Sequence, residues 1–319
     1  MTFLVPFKFV QAGPFILVHL IYAHKLDLSY GFFRDTIDAL NNGQPDKIIE
    51  LHDWLAMPQD NTNQLTPIGS IFHVSRCGST LLCQNLKASN QFVVLGEPGF
   101  LGAIYKEDSI IPERLRSVVA QKSLMIWNIW ACQQNKQLII KFTSGTILYL
   151  QDIKQDFPEL RLLFLYREPS AVVESLTRKP TSYIKKPIWR DKLAVIPEIL
   201  TEQHHEHTTE ASRIYLSSLA TIQVHYNPQS YLCDYRYLAN RFSDIIGFFK
   251  QSALQKELDC QWQQKWSSKK GQWQSQKYQP VEGAIYNDFI NNNDQLINYL
   301  LEKYQAFNDA MLITKAEIN

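Results

Sequence analysis

The chain carries no surplus of either charge sign. Over 319 residues, 32 Lys and Arg face 31 Asp and Glu, for a net charge of +1. That balance excludes a general nucleic-acid coat or a polybasic membrane anchor and leaves room only for a local basic pocket. Cysteine is sparse: Cys77, Cys83, Cys132, Cys233 and Cys260 are odd in number and form no C-x-x-C pair. The expectation is reduced, mostly buried thiols, not a disulfide framework. No long hydrophobic run is present. The apolar stretch PFILVHLIYA at 14–23 has about half of the ~20 residues a spanning helix needs. It lacks a basic n-region and a small-residue cleavage site, so it reads as strand, and a cytoplasmic protein without a membrane span is expected. Glycine is also scarce, at 12 residues, and no repeat or low-complexity tract interrupts a chain that is 45% hydrophobic and 20% charged. Collagen-like, mucin-like and disordered classes are thereby excluded. No H-E-x-x-H occurs. His204, His205 and His207 lie at i, i+1 and i+3, which does not converge on one ion, so they read as a solvated helix face and no metal is expected.

What the chain has is aromatic residues, 15 Tyr, 17 Phe and 7 Trp, and an alternation of short apolar runs with helical periodicity. Three zones follow. Residues 1–67 hold two short strands, near 7–11 and 15–22, a helix from about Gly31 to Asn41, and a polar linker from Pro58. Residues 68–250 alternate strand and helix: strands over Ile68–Val74, Phe92–Leu95, Leu138–Phe142, Arg161–Tyr166 and Ser230–Cys233, with helices over Ser79–Ala88, Pro112–Gln134, Thr146–Asp156, from Pro169, and over Pro197–Gln223. Residues 251–319 are polar and Trp-containing, with one amphipathic helix near Asp294–Phe307. Strands of this kind predict a three-layer α/β/α domain around a parallel sheet of about five strands, with ligands beyond the carboxyl ends of the strands.

Two of those strand ends carry chemistry. After the first core strand comes SRCGSTLL, from Ser75. A strand entering a tight turn and leaving as a helix offers backbone N–H groups and the positive helix end to one point. Gly78 permits close approach of an anion, Ser79 and Thr80 add hydroxyls, and Arg76 adds a permanent charge, so the loop is a phosphate or sulfate cradle. The nucleotide-kinase form G-x-x-x-x-G-K-S/T is absent. Ser79 as a plain helix cap would account for part of the same pattern. After the strand Arg161–Tyr166 comes YREPSAVVES, in which Ser175 lies eight residues beyond Arg167. Two helical turns bring the two toward one groove, where both could hold one phosphate. A surface arginine and an ordinary helix serine would look the same.

Together the two loops resemble those of the sulfotransferases that use 3'-phosphoadenosine 5'-phosphosulfate (PAPS). SRCGST is similar to the family's 5'-phosphosulfate loop, and REPSAVVES to its 3'-phosphate motif, in which an arginine, an acid and a proline precede a serine. The likeness covers about residues 68–180. Ser75 stands where the family has proline, Cys77 where it has serine, and Arg76 where cytosolic members have lysine and the tyrosylprotein branch has arginine. The resemblance implies a P-loop-like fold, PAPS as the sulfuryl donor, no metal, and a small-molecule or glycan acceptor. It implies that Arg76, Cys77, Gly78, Ser79 and Thr80 hold the 5'-phosphosulfate and that Arg167 and Ser175 hold the 3'-phosphate. Glu97, 21 residues after Arg76, resembles the general base of the tyrosylprotein branch, with a helix cap or a surface acid as the plain alternative. Lys141 resembles a strand-end lysine of related branches and would offset charge on the transferring group. Tyr235 resembles a tyrosine that packs on adenine, with a core aromatic as the equal alternative. Lys269 and Lys270 resemble a late segment that closes over the 3'-phosphate. Two other readings stand beside this one: a phosphotransferase on the same scaffold, for which Asp234 is the only strand-end acid, and a non-catalytic nucleotide-binding module.

Overall fold

The computed structural model describes residues 3–40, 43–58, 68–185, 192–200, 204–250, 266–267, 273–274 and 283–318. The N-terminal zone forms an antiparallel sheet of β1 (Leu4–Ala12), β2 (Phe15–Tyr22) and β3 (Lys47–Glu50) in that order. Two short helices, α1 (Phe33–Asp38) and α2 (Leu51–Ala56), accompany it. The alternating zone supplies β4 (Gly69–His73), α3 (Ser79–Ala88), β5 (Phe92–Gly96), α4 (Gly99–Ile104), α5 (Glu113–Gln133), β6 (Gln137–Lys141), α6 (Leu150–Asp156), β7 (Arg161–Tyr166), α7 (Pro169–Arg178), α8 (Ser182–Lys185), α9 (Glu206–His225), β8 (Tyr231–Asp234) and α10 (Phe242–Lys250). The chain closes with α11 (Gly283–Asn292) and α12 (Asp294–Ile318).

Strands β4–β8 form one five-stranded sheet in the order β5-β6-β4-β7-β8, every adjacent pair parallel. All residues of β4 and β5 are buried, which is why neither run alternates; the polar members of β4, Ser70 and His73, reach backbone carbonyl oxygens. After β4 the chain crosses two places toward β5, then returns in the opposite direction through β6, β7 and β8. Right-handed crossovers therefore put α3 on one face and the helices from α4 to α9 on the other. This is the three-layer α/β architecture expected from the sequence. The reversal opens a crevice at the carboxyl ends of the adjacent strands β4 and β6, the usual ligand position in such sheets. The loop after Val74 and the residue Lys141 both lie there.

The antiparallel sheet shares one buried core with the parallel one, and Trp127 Nε1 of α5 donates to Pro6 O at 2.9 Å. Strand β3 was not foreseen; three of its four residues are exposed and one half-buried, so its existence depends on pairing with β2 more than on its own pattern. The helix expected at Thr146 starts as a tighter 3₁₀ turn, Ser144–Tyr149, in which Thr146 N–H donates to Thr143 O at 2.9 Å. The helix expected from Pro197 begins only at Glu206, where the His205 ring accepts from His207 N–H at 3.1 Å and caps it.

Candidate functional site

Helix α3 emerges from the loop without a side-chain cap, and its N-cap residue is Gly78 at φ 79°. The plain reading of Ser79 as the cap is therefore not what the fold uses, because Ser79 is the first helical residue. The start of α3 has no capping side chain, and its positive end lies at the crevice. A Cβ at position 78 would come within 2.5 Å of the Tyr235 ring, so glycine is required both for the turn and for the close packing of Tyr235. Arg167 meets the same tyrosine: its guanidinium lies 4.6 Å from the Tyr235 ring centroid, and its Nη1 donates to Arg76 O at 3.1 Å. Tyr215 Oη in turn donates to Arg167 O at 2.8 Å. The structure thus brings Arg76, Gly78, Arg167 and Tyr235 together.

Arg76 has φ 59° and spans the loop to α7, where its Nη2 donates to Lys179 O at 2.9 Å. Its Nε is buried and has no partner among the described residues. Lys179 N–H donates to Ser175 O at 3.1 Å, so Arg76 ties the cradle to the end of the helix that carries Ser175. Ser175 itself is half-buried two turns beyond Arg167. Glu168 caps α7 by accepting from Ser170 N–H at 2.9 Å and Ala171 N–H at 3.2 Å. The acid of the REP triplet therefore has a structural task.

On the β6 side, Lys141 is 1% exposed and its Nζ donates to Glu97 Oε1 and, at 3.3 Å, to Thr80 Oγ1. Thr80 belongs to the cradle helix, so Lys141 bridges the cradle and Glu97. Burial pushes the Glu97 carboxyl up, but Lys141 first, then His73 and Arg76, outweigh it and hold the group below its ordinary range. Burial and Lys141 push His73, behind the pair, down to about 4, while its two ring nitrogens lie 2.9 Å from Val74 O and 3.0 Å from Phe142 O. Cys77 is fully buried, and burial pushes its thiol up to about 12. A thiol held protonated in this way is not a nucleophile.

Sequence reasoning missed several participants. Ser144 Oγ lies 2.7 Å from Ser75 Oγ, joining the loops after β6 and β4. Tyr215 holds the Arg167 backbone. The segment Ser29–Phe32 also reaches the crevice: Gln84 Nε2 donates to Ser29 O at 3.1 Å, Lys87 Nζ donates to Tyr30 O, and the Phe32 ring lies 5.2 Å from Lys141 Nζ. No short motif marks these, since each depends on a contact distant in sequence. Asp234 is buried at the end of β8, where it accepts from Tyr304 Oη at 2.6 Å and pairs with Arg236 at 2.8 Å. Lys269 and Lys270 lie outside the described residues. Among the described residues, no three His, Cys, Asp or Glu side chains are grouped to hold a metal ion.

Two clefts adjoin this region without including the Cys77–Thr80 loop. One, of about 550 Å³, runs beside Tyr235 and includes Tyr166, Asp234, Arg236 and Tyr237. The other, of about 340 Å³, lies between β1 and α4.

No protein-family model matches the chain, and no curated protein does. Among solved structures, a sulfotransferase from Alicyclobacillus acidocaldarius is similar at 12% identity over 74% of this chain and 97% of that one, with a TM-score of 0.40. The sulfotransferase domain from the curacin biosynthetic pathway is 13% identical over 72% of this chain and 98% of its own, with a TM-score of 0.36. The sulfotransferase domain of the Synechococcus PCC 7002 olefin synthase is 17% identical over 75% and 98%, with a TM-score of 0.37. At these values the functional reading rests on the residues of this chain.

Proposed function

We propose that the protein is an enzyme that transfers a sulfuryl group from PAPS to a hydroxyl acceptor. The observation that carries this reading is the cluster of Arg76, Lys141 and Arg167 around the left-handed Gly78 turn, in which the buried Arg76 Nε–H has no partner among the described residues. A buried guanidinium N–H left unpaired costs free energy unless an anion completes it. Backbone strain points to the same place. Four non-glycine residues among those described have positive φ, and besides Asn90 and Asn135 they are Arg76 and Glu97. Asparagine tolerates that region; for Arg and Glu it costs about 1–2 kcal/mol each, and such strain collects at functional sites.

In this reading the α3 N-terminus, Arg76, Ser79 and Thr80 bind the 5'-phosphosulfate. Arg167 and Ser175 bind the 3'-phosphate, and Tyr235, already under a cationic face, takes the adenine. Lys269 and Lys270 belong to the same proposal as a segment over the 3'-phosphate. The acceptor oxygen forms a bond to sulfur as the bond from sulfur to the bridging phosphate oxygen breaks. That electron pair goes to the 5'-phosphate, and the acceptor proton goes to Glu97. Lys141 sits between Glu97 and Thr80, where it offsets negative charge on the sulfuryl oxygens. A phosphotransferase is less well supported, because Asp234, the acid that ends β8 of the parallel sheet, is already engaged by Arg236 and Tyr304.

The test is incubation with PAPS and a panel of alcohols and phenols, followed by chromatography and mass spectrometry. The expected products are adenosine 3',5'-bisphosphate and an acceptor heavier by one SO₃ group. Release of phosphate from ATP with magnesium, and none of the bisphosphate from PAPS, would overturn the assignment.

A further inference from the structure

We propose that the 340 Å³ cleft between β1 and α4 binds the apolar body of the acceptor, so that the N-terminal antiparallel sheet supplies one wall of the acceptor site. The proposal rests on the sulfuryl-transfer reading above and narrows its acceptor to an alcohol or phenol on an apolar body, in preference to a glycan.

The cleft is at the small end of ligand pockets, which run to about 300–1,000 Å³. Phe7 and Phe9 of β1 form one side, and Phe100 and Ile104 of α4 form the other. Its charged groups, Lys8, Lys106 and Asp108, are of mixed sign and select neither an anion nor a cation. A glycan would need hydrogen-bond partners along its whole length, whereas most of this lining is aromatic or aliphatic.

The cleft connects to the reacting groups through α4, the helix on one side of it. Gly99 lines it and follows Glu97 by two residues, so their Cα atoms are at most about 7.6 Å apart. From the same helix, the Phe100 ring packs 5.8 Å from Phe33, whose chain neighbour Phe32 lies 5.2 Å from Lys141 Nζ. Gly31 O lies 2.4 Å from where a Cβ on Gly96 would be, so this segment is seated against the end of β5. The consecutive residues Phe32 and Phe33 thus step from Lys141 to Phe100 at the edge of the cleft. A molecule with its apolar body among Phe9, Phe100 and Ile104 and its hydroxyl past Gly99 presents that hydroxyl to Glu97.

The experiment uses Ala103→Trp. Ala103 lines the cleft and is exposed on α4, so the indole fills the cleft without entering the core. Ala103→Leu serves as a smaller second variant, and circular dichroism checks that both fold. KM and kcat are measured with PAPS and 2-naphthol, 1-octanol or glucose, and 2-naphthol binding is measured by calorimetry with adenosine 3',5'-bisphosphate present. One methylene in an apolar pocket changes discrimination by about 10–200-fold. The expected result is that 2-naphthol and 1-octanol are better acceptors than glucose, and that Ala103→Trp raises KM and Kd for 2-naphthol at least about tenfold, with a smaller rise for Ala103→Leu. An unchanged KM and Kd in both variants, or glucose as the better acceptor, would overturn the cleft assignment while sulfuryl transfer stands. Bisphosphate binding with no turnover of either apolar acceptor overturns it as well. Failure of the parent to bind the bisphosphate would overturn the underlying reading instead.

Discussion

Lys141 and Glu97 hold each other twice. The Glu97 backbone N–H donates to Lys141 O at 2.7 Å, and the Lys141 ammonium donates back to the Glu97 carboxylate. The lysine side chain is 1% exposed and the glutamate 27%, so the carboxylate is the member of the pair that an acceptor can reach. Lys141→Met is expected to destabilise the fold because it leaves a carboxylate in the crevice without its countercharge. A fully buried pair broken in this way costs about 3–5 kcal/mol, and the partial exposure of Glu97 makes this loss smaller. Urea denaturation of both single variants and of Lys141→Met/Glu97→Gln measures it, and the double variant is expected to be more stable than the sum of the singles allows.

The same pair sets the pH dependence. The folded Glu97 carboxyl titrates below its ordinary value. Its contribution to stability is therefore complete above the unfolded value of about 4.3 and is lost as pH falls through the lower folded value. Glu97→Gln is expected to lack this acid-side component in denaturation measured from pH 6 downward. It is also expected to keep nucleotide affinity and lose about 10²–10⁴-fold in kcat, the range for a missing general base. Donor binding brings negative charge to Lys141 and raises the carboxyl again. The acid limb of kcat, which reports the loaded enzyme, is accordingly expected at higher pH than that of kcat/KM, which reports the free one.

Arg167 meets Tyr235 and the Arg76 carbonyl at once. Replacing it with alanine is expected to weaken binding of adenosine 3',5'-bisphosphate by about 10–150-fold, the equivalent of about 1.5–3 kcal/mol for a charge-assisted bond. Isothermal titration calorimetry reads this directly. A variant that bound as tightly as the parent would remove Arg167 from the 3'-phosphate site.

Gly78→Ala places a methyl group within 2.5 Å of the Tyr235 ring at φ 79°. The left-handed backbone alone costs about 1–2 kcal/mol for a non-glycine residue, and the ring must move as well. A lower denaturation midpoint is expected, together with weaker bisphosphate binding. Adding Tyr235→Ala to this variant is expected to restore part of the stability, because the clash is removed while the backbone strain remains.

Much of this arrangement was legible in the sequence where the signal is local. The five parallel strands were visible because each holds a short apolar run, and SRCGST and YREPSAVVES were visible because both sit at strand–helix junctions. The helix starts were less legible. His205, a residue not usually thought of as a cap, sets the start of α9, and the Thr143–Thr146 contact tightens the first turn after β6. Glu97 was identified as a carboxylate near the cradle, but its clamp by Lys141 is a contact between two strand ends 44 residues apart. The approach of Ser29–Phe32 to Lys87 and Lys141 depends on how the antiparallel sheet docks, which no periodicity encodes.

The central claim is that the Arg76, Gly78 and Arg167 cluster recognises a nucleotide carrying a 3'-phosphate. Isothermal titration calorimetry of the full chain against adenosine 3',5'-bisphosphate, and separately against ATP and ADP with magnesium, tests it most directly. The expected result is one bisphosphate bound per chain, at least about tenfold more tightly than ATP or ADP, in keeping with one charge-assisted contact to the 3'-phosphate. Binding of ATP with magnesium as tight as or tighter than that of the bisphosphate would contradict it.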